Sequence, residues 1–292
     1  MPRPTLRSML IRCAACAVFP VVALASASVV AQQPPAAASQ TQPPAAAASK
    51  PLRVLFVGNS LTYVNDLPAT LRALAAAQPN PVAIETQTFA APGGTIADRW
   101  KDGHAATALA SGHWDAIVLQ ERGGLLACMV DPEQRTQSEC RASDRAHRDF
   151  AEKAKAAGAK TLLFATWGPD AAWQTKLDRA AKQVASRIDA TVVPSGDVLR
   201  AWAKTHGDKA TFPDGVHPSV AATLIMAIQF HEAIVGRAPQ PVDVTLDFAL
   251  LPANAAIKPD APMESQAQLK GTKGKVVVKA DAIAALLPAT KP

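Results

Sequence analysis

Ser60 stands in Val57-Gly58-Asn59-Ser60-Leu61-Thr62, directly behind the largely apolar run from Leu52 to Val57, and Asp214-Gly215-Val216-His217-Pro218 follows about 150 residues later. A serine hydroxyl is a poor nucleophile at neutral pH, so it needs an imidazole within hydrogen-bond reach, and the imidazole needs a carboxylate to fix its tautomer. An aspartate three residues before its histidine can reach back to that ring. Asp214 would then face Nδ1 of His217, leaving Nε2 free to take the Ser60 proton. These are the parts of a nucleophilic ester-cleaving site. Gly58 and Asn59 let the chain turn sharply at the end of a buried strand, and a helix starting soon after would aim backbone N–H groups at a developing oxyanion.

Such a layout needs strands that end together and helices that return between them. The sequence supplies apolar runs near 52–57, 82–89, 114–119, 160–166 and 191–194, with amphipathic segments near 66–78, 96–112, 143–158, 171–188, 196–206 and 219–236. Short apolar runs separated by helices predict an α/β domain with a parallel sheet covered on both faces. Ligands bind such sheets at the carboxyl ends of the strands, which is where Ser60 falls. Asp66 with Pro68 marks one helix start. The stripe Val220, Leu224, Ala227, Ile228, His231 and Val235 marks the core-facing side of the last helix, with His231 read as a core histidine.

With these blocks on view, the chain resembles the SGNH, or GDSL-like, hydrolase superfamily over about residues 51–240. Val57 to Thr62 looks like its serine block with Asn for the usual Asp, Ala91-Pro92-Gly93-Gly94-Thr95 resembles its glycine block, and Asp214 to Pro218 matches its histidine block. The third block departs: Val118-Leu119-Gln120-Glu121 stands where Gly-x-Asn-Asp is expected, as in a subgroup with Gln-Glu after this strand. The resemblance implies a three-layer α/β/α sandwich on a five-stranded parallel sheet, flavodoxin-like, with Ser60, Asp214 and His217 as the catalytic triad. It also implies an oxyanion hole built from the Ser60 N–H, the N–H of Gly93 or Gly94, and the Gln120 side-chain amide, which donates as Asn would from one methylene further out. Glu121 has no assigned role: a salt bridge to Arg122 or another base and a part in catalysis are equal alternatives.

Residues 1–31 carry Arg3, Arg7 and Arg12, then an uncharged stretch ending Val29-Val30-Ala31, the pattern of a signal peptide cut after Ala31. A Pro/Ala/Gln-rich linker follows over residues 32–50. Export to the periplasm or medium agrees with the cysteines: Cys13 and Cys16 leave with the signal, and the remaining pair, Cys128 and Cys140, reads as a disulfide in a loop after the third strand. No metal-ligand spacing occurs, so no metal or cofactor is expected. No stretch after the signal is apolar enough for stable membrane insertion. The net charge of +6 arises from the signal arginines and from six lysines in residues 258–292, leaving the body near neutral and excluding a nucleic-acid-binding reading. Residues 241–292 are an extension with two strand-like runs, Val242 to Leu246 and Val276 to Val278, amid Pro and Gly.

Trp167 and Trp173 flank Gly168-Pro169-Asp170 in the loop after the fourth strand, which should open beside Ser60, and with Asn59 they are the candidate substrate-binding residues. The expected activity is an exported serine esterase on small-molecule or glycan esters, removing acyl groups such as acetyl from carbohydrate. Alternatives are a lysophospholipase or lipid esterase, an O-acyltransferase, and a non-catalytic glycan-binding module.

Overall fold

In the computed structural model, residues 50–271 and 274–290 are described; the expected signal peptide and nearly all of the linker lie outside them. The strands are β1 (Leu52–Gly58), β2 (Ile84–Ala90), β3 (Ala116–Leu119), β4 (Lys160–Phe164) and β5 (Ala190–Val193). All pair in parallel in the order β2-β1-β3-β4-β5, the doubly wound flavodoxin-like arrangement. Order reverses between β1 and β3, so the crevice for a ligand opens where those two strands end. Ser60 follows the first and Gln120 the second.

The helices are α1 (Ser60–Tyr63), α2 (Leu67–Ala76), α3 (Ile96–Asp102), α4 (His104–Ser111), α5 (Gly123–Cys128), α6 (Ser138–Ala156), α7 (Ala171–Arg187), α8 (Ser195–His206), α9 (Asp208–Thr211) and α10 (Val220–Val235). Successive side chains of a strand point to opposite faces, and the core divides accordingly. Val54, Phe56, Val118, Leu162, Phe164 and Val193 face α2, α8 and α10. Leu55, Val57, Ile117, Leu119 and Leu163 face α3, α4, α6 and α7. The single helix expected over 96–112 is two, because Gly103 adopts a left-handed φ of 76° and caps the first. The segment expected to be loop around the cysteines contains α5 and the first turn of α6, and the Cys128–Cys140 disulfide joins them with Cα atoms 5.9 Å apart.

Beyond residue 241 the chain folds onto the domain. Strand β6 (Val244–Leu246) pairs antiparallel with β7 (Val276–Val278), and α11 (Ala280–Leu286) follows. Val244, Leu246, Ile283 and Leu286 join the core against α2 and α10. Helix α10 is therefore buried on all sides from Ala222 to His231, rather than along the single stripe its pattern predicts. Leu251, Ala255, Ile257, Met263 and Leu269 pack on Tyr63, Val64 and Ala90, and Glu264 accepts hydrogen bonds from the Thr88 N–H and hydroxyl at 2.8 Å, covering the sheet edge at β2.

Candidate active site

Strand β1 delivers its chain into the turn that carries Ser60. Gly58 is required there by space: a Cβ would lie 2.6 Å from both Gln120 Oε1 and Thr62 Oγ1. Asn59 caps α1, its Oδ1 accepting from the Leu61 N–H at 3.1 Å, so Ser60 becomes the first helical residue with its N–H left free by helix geometry. The Asn59 Nδ2 donates to the Gly94 carbonyl at 3.0 Å and holds the glycine loop beside the serine.

His217 Nε2 lies 2.9 Å from Ser60 Oγ, and its Nδ1 lies 2.7 Å from Asp214 Oδ2. The other carboxylate oxygen of Asp214 accepts from the backbone N–H groups of His217 at 2.7 Å and Val216 at 3.0 Å. Desolvation pushes the Asp214 carboxyl upward, yet the His217 N–H, its ring and the Val216 N–H together outweigh that and hold it at about 2. It stays ionised wherever the imidazole is neutral, which fixes the proton on Nδ1 and leaves Nε2 as the acceptor facing Ser60. Two contacts position this turn. Trp167 Nε1 donates to the Val216 carbonyl at 2.7 Å, and Asn65 Nδ2 donates to the Pro218 carbonyl at 2.8 Å.

Of the expected oxyanion donors, Ser60 and Gly93 line the cavity, and neither backbone N–H has a partner among the described residues. The Gly94 N–H is engaged by the Ala91 carbonyl at 3.0 Å, which favours Gly93 of the two. Gln120 departs from its expected place. Fully buried beneath the serine turn, its Oε1 accepts from the Asn59 N–H and the Thr62 hydroxyl, both at 2.9 Å, and its Nε2 donates to the Glu121 carbonyl at 3.0 Å. Its amide braces the Ser60 turn from below and does not line the cavity. Glu121 makes no salt bridge to Arg122. It is buried and accepts from the N–H groups of Arg122 at 2.7 Å and Ile96 at 3.2 Å and from the Ser143 hydroxyl at 2.6 Å, tying the end of β3 to the helix that follows the glycine loop.

Above Ser60 opens a cavity of about 480 Å³, within the range of small-molecule sites. Its walls are Leu61, Trp167, Pro169, Trp173, Leu177 and Val216, and glycines 93, 123, 124, 168 and 215 bring backbone to its surface. Trp173 and Val216 are 39% and 53% exposed, large apolar groups left open to whatever enters. Arg122 at the rim and Leu177 in the wall had no signal in the sequence. No group of three His, Cys, Asp or Glu side chains suited to a metal is found among the described residues, and no helix among them is long and apolar enough to cross a membrane.

No family model matches the chain, and no curated protein matches it in sequence. Among solved structures it is similar to a protein from Slackia heliotrinireducens classed as an SGNH hydrolase, at 25% identity and a TM-score of 0.52, covering 63% of this chain and 98% of that one. It is also similar to an acetylxylan esterase from Geobacillus stearothermophilus, solved as a catalytic mutant, at 18% identity and a TM-score of 0.50, covering 63% of this chain and 94% of that one. The chain has the fold of the SGNH hydrolases, the class its serine and histidine blocks resemble.

Proposed function

We propose that the protein is a serine ester hydrolase in which Ser60 is the nucleophile, His217 the base and Asp214 the group that orients it. The observation that carries this reading is the continuous chain Ser60 Oγ, His217 Nε2, His217 Nδ1, Asp214 Oδ2, with links of 2.9 and 2.7 Å. Nε2 takes the hydroxyl proton as Oγ attacks the ester carbonyl, and the resulting oxyanion is met by the N–H groups of Ser60 and Gly93. The imidazolium then gives its proton to the departing alcohol. Water, activated by the same nitrogen, releases the acid and restores the serine.

The substrate we assign is an acylated carbohydrate, with Trp173 as an exposed indole face for a sugar ring. The acetylxylan esterase of the same fold acts on esters of this kind. The apolar wall of the cavity favours a second reading, a lipid-type esterase whose acyl chain fills that space. The signal-like residues 1–31 and the Cys128–Cys140 bridge support export to the periplasm or medium.

Labelling of the purified chain with a fluorophosphonate probe, with p-nitrophenyl esters from acetate to decanoate assayed in parallel, tests this. Wild type should label and turn over, whereas Ser60→Ala and His217→Ala should lose rate by about 10³-fold or more. A preference for acetate supports carbohydrate deacetylation, and one for longer chains supports the lipid reading. Acyl transfer to an added sugar in place of water would identify an acyltransferase. A wild-type chain that neither labels nor turns over is a binding module, and turnover surviving in Ser60→Ala would remove the serine assignment.

A further inference from the structure

Five residues after the serine, Asn65 occupies left-handed backbone (φ 56°, ψ 13°), and Asp66 follows in the same region with φ 51°. Left-handed conformations are unfavourable for residues other than glycine, Asn and Asp being the most tolerant, and two in succession persist only where the surroundings impose them. Three separate parts of the chain impose this one. The Asn65 N–H donates to the Leu251 carbonyl of the C-terminal segment at 2.9 Å. Its Nδ2 donates to the Pro218 carbonyl at 2.8 Å and to Thr223 Oγ1 at 3.1 Å. Thr223 passes its own proton to the Ser219 carbonyl at 3.0 Å, so it must accept from Asn65. The amide orientation follows from these acceptors, because a carbonyl oxygen turned toward Pro218 would meet another acceptor.

Pro218 is bonded directly to His217, and Asn65 ends the short turn that begins at Ser60. Serine and histidine are 157 residues apart in the chain, and each sits on its own turn. We propose that Asn65 is a positioning residue of the hydrolytic site, a joint that sets the Ser60–His217 separation by fastening the nucleophile turn to the histidine turn. Resting on the triad assignment, it deepens that reading by naming what keeps the two halves in register. The second anchor on this side, the Tyr63 hydroxyl donating to the Ala253 carbonyl at 2.6 Å, holds the same turn to the C-terminal segment but does not reach the histidine.

The test is Asn65→Gly beside Thr223→Val and the double variant. Glycine keeps the left-handed backbone at no steric cost and removes both side-chain bonds. Expected is a fall in kcat of about 10- to 100-fold for Asn65→Gly on p-nitrophenyl acetate, with KM within about twofold and fluorophosphonate labelling slowed in step, since a misplacement on the order of 1 Å can cost about 10²-fold. Thr223→Val should lose less, because the bond to Pro218 remains, and the double variant about as much as Asn65→Gly, because both changes act through the one Asn65 amide. A purely structural residue would instead lower the melting temperature and the active fraction while leaving kcat per labelled site unchanged. Should Asn65→Gly fail to fold, Asn65→Asp, which tolerates the same left-handed backbone and puts an acceptor where Nδ2 donates to Pro218, decides: a lowered kcat at unchanged KM supports the joint, and wild-type kcat overturns it. Wild-type kcat in folded Asn65→Gly, with Ser60→Ala inactive, overturns the joint but leaves the triad standing. Activity surviving in Ser60→Ala removes the triad reading itself.

Discussion

Replacing Gln120 by alanine separates two roles for this side chain. The change leaves the Asn59 N–H, the Thr62 hydroxyl and the Glu121 carbonyl without their partners, all beneath a turn from which solvent is excluded. A buried polar group stripped of its hydrogen bond costs about 1–3 kcal/mol, and some of the three will find water in the vacated space, so the sum expected is about 3–5 kcal/mol. For a domain of this size that is a fall in Tm of roughly 6–20 °C. Because Asn59 and Thr62 flank Ser60, the proposed nucleophile, kcat should fall as well, but together with stability. Gln120→Asn should behave similarly, its arm being too short to reach both donors. Thermal unfolding followed by circular dichroism, with kcat and KM on p-nitrophenyl acetate, provides the readout. A Gln120→Ala chain that melts within about 2 °C of wild type while losing about 10²–10³ in kcat would refute the brace and return the amide to the oxyanion.

At Asp66, burial pushes the carboxyl up to about 6 against the Ala69 N–H and the charge of Arg72, with Glu264 adding to the rise. The folded state thus holds this proton more tightly than the unfolded chain, and the ionised form destabilises the fold above pH 6. Asp66→Asn, which keeps the cap on Ala69, should then stabilise by at most about 3 kcal/mol at pH 8, an advantage that fades as pH falls through 6 toward 4. Urea titrations of both chains across that range check it, and a difference independent of pH would contradict it. Converting Cys128 and Cys140 together to serine should cost up to about 3 kcal/mol, the entropy of a loop with separation 12. Since α5 brings Gly123 and Gly124 to the cavity, KM should rise more than kcat falls; calorimetry and steady-state kinetics on the same sample test both parts.

The strands were legible because four of them are short, mainly apolar runs, with β2 (Ile84–Ala90) more polar at its centre, and parallel pairing follows from the helices between them. What the sequence could not convey is anything that depends on a partner distant in the chain. Gln120 carries the same amide whether it points into the cavity or under the serine turn; only the approach of Asn59 and Thr62 decides. The stripe on α10 predicts one buried face, yet the helix is enclosed because Val244, Leu246, Ile283 and Leu286 join the core around it, and nothing in the two short strand-like runs of that extension says which helix they cover. Asp66 with Pro68 reads as an ordinary helix start, and nothing in the local pattern singles out Asn65. Its contact with Pro218 spans 153 residues and leaves no trace in local pattern. The break at Gly103 was, by contrast, visible in Asp102-Gly103 and was outweighed by the helical periodicity on either side.

Tyr63 meets Ala253 across 190 residues, and Val64 and Ala90 wait for Leu251, Met263 and Leu269 to cover them. In chain order the serine turn comes early and the clasp over it late. The Gln120 brace closes a loop of 61 residues and the Tyr63 clasp one of 190, so the outer cover of the turn carries the larger chain-entropy cost of the two. Residues 249–269 thereby hold the serine turn from a part of the chain remote from every catalytic block: a cut before Leu251 would uncover Tyr63, Val64 and Ala90 while leaving the Gln120 brace in place.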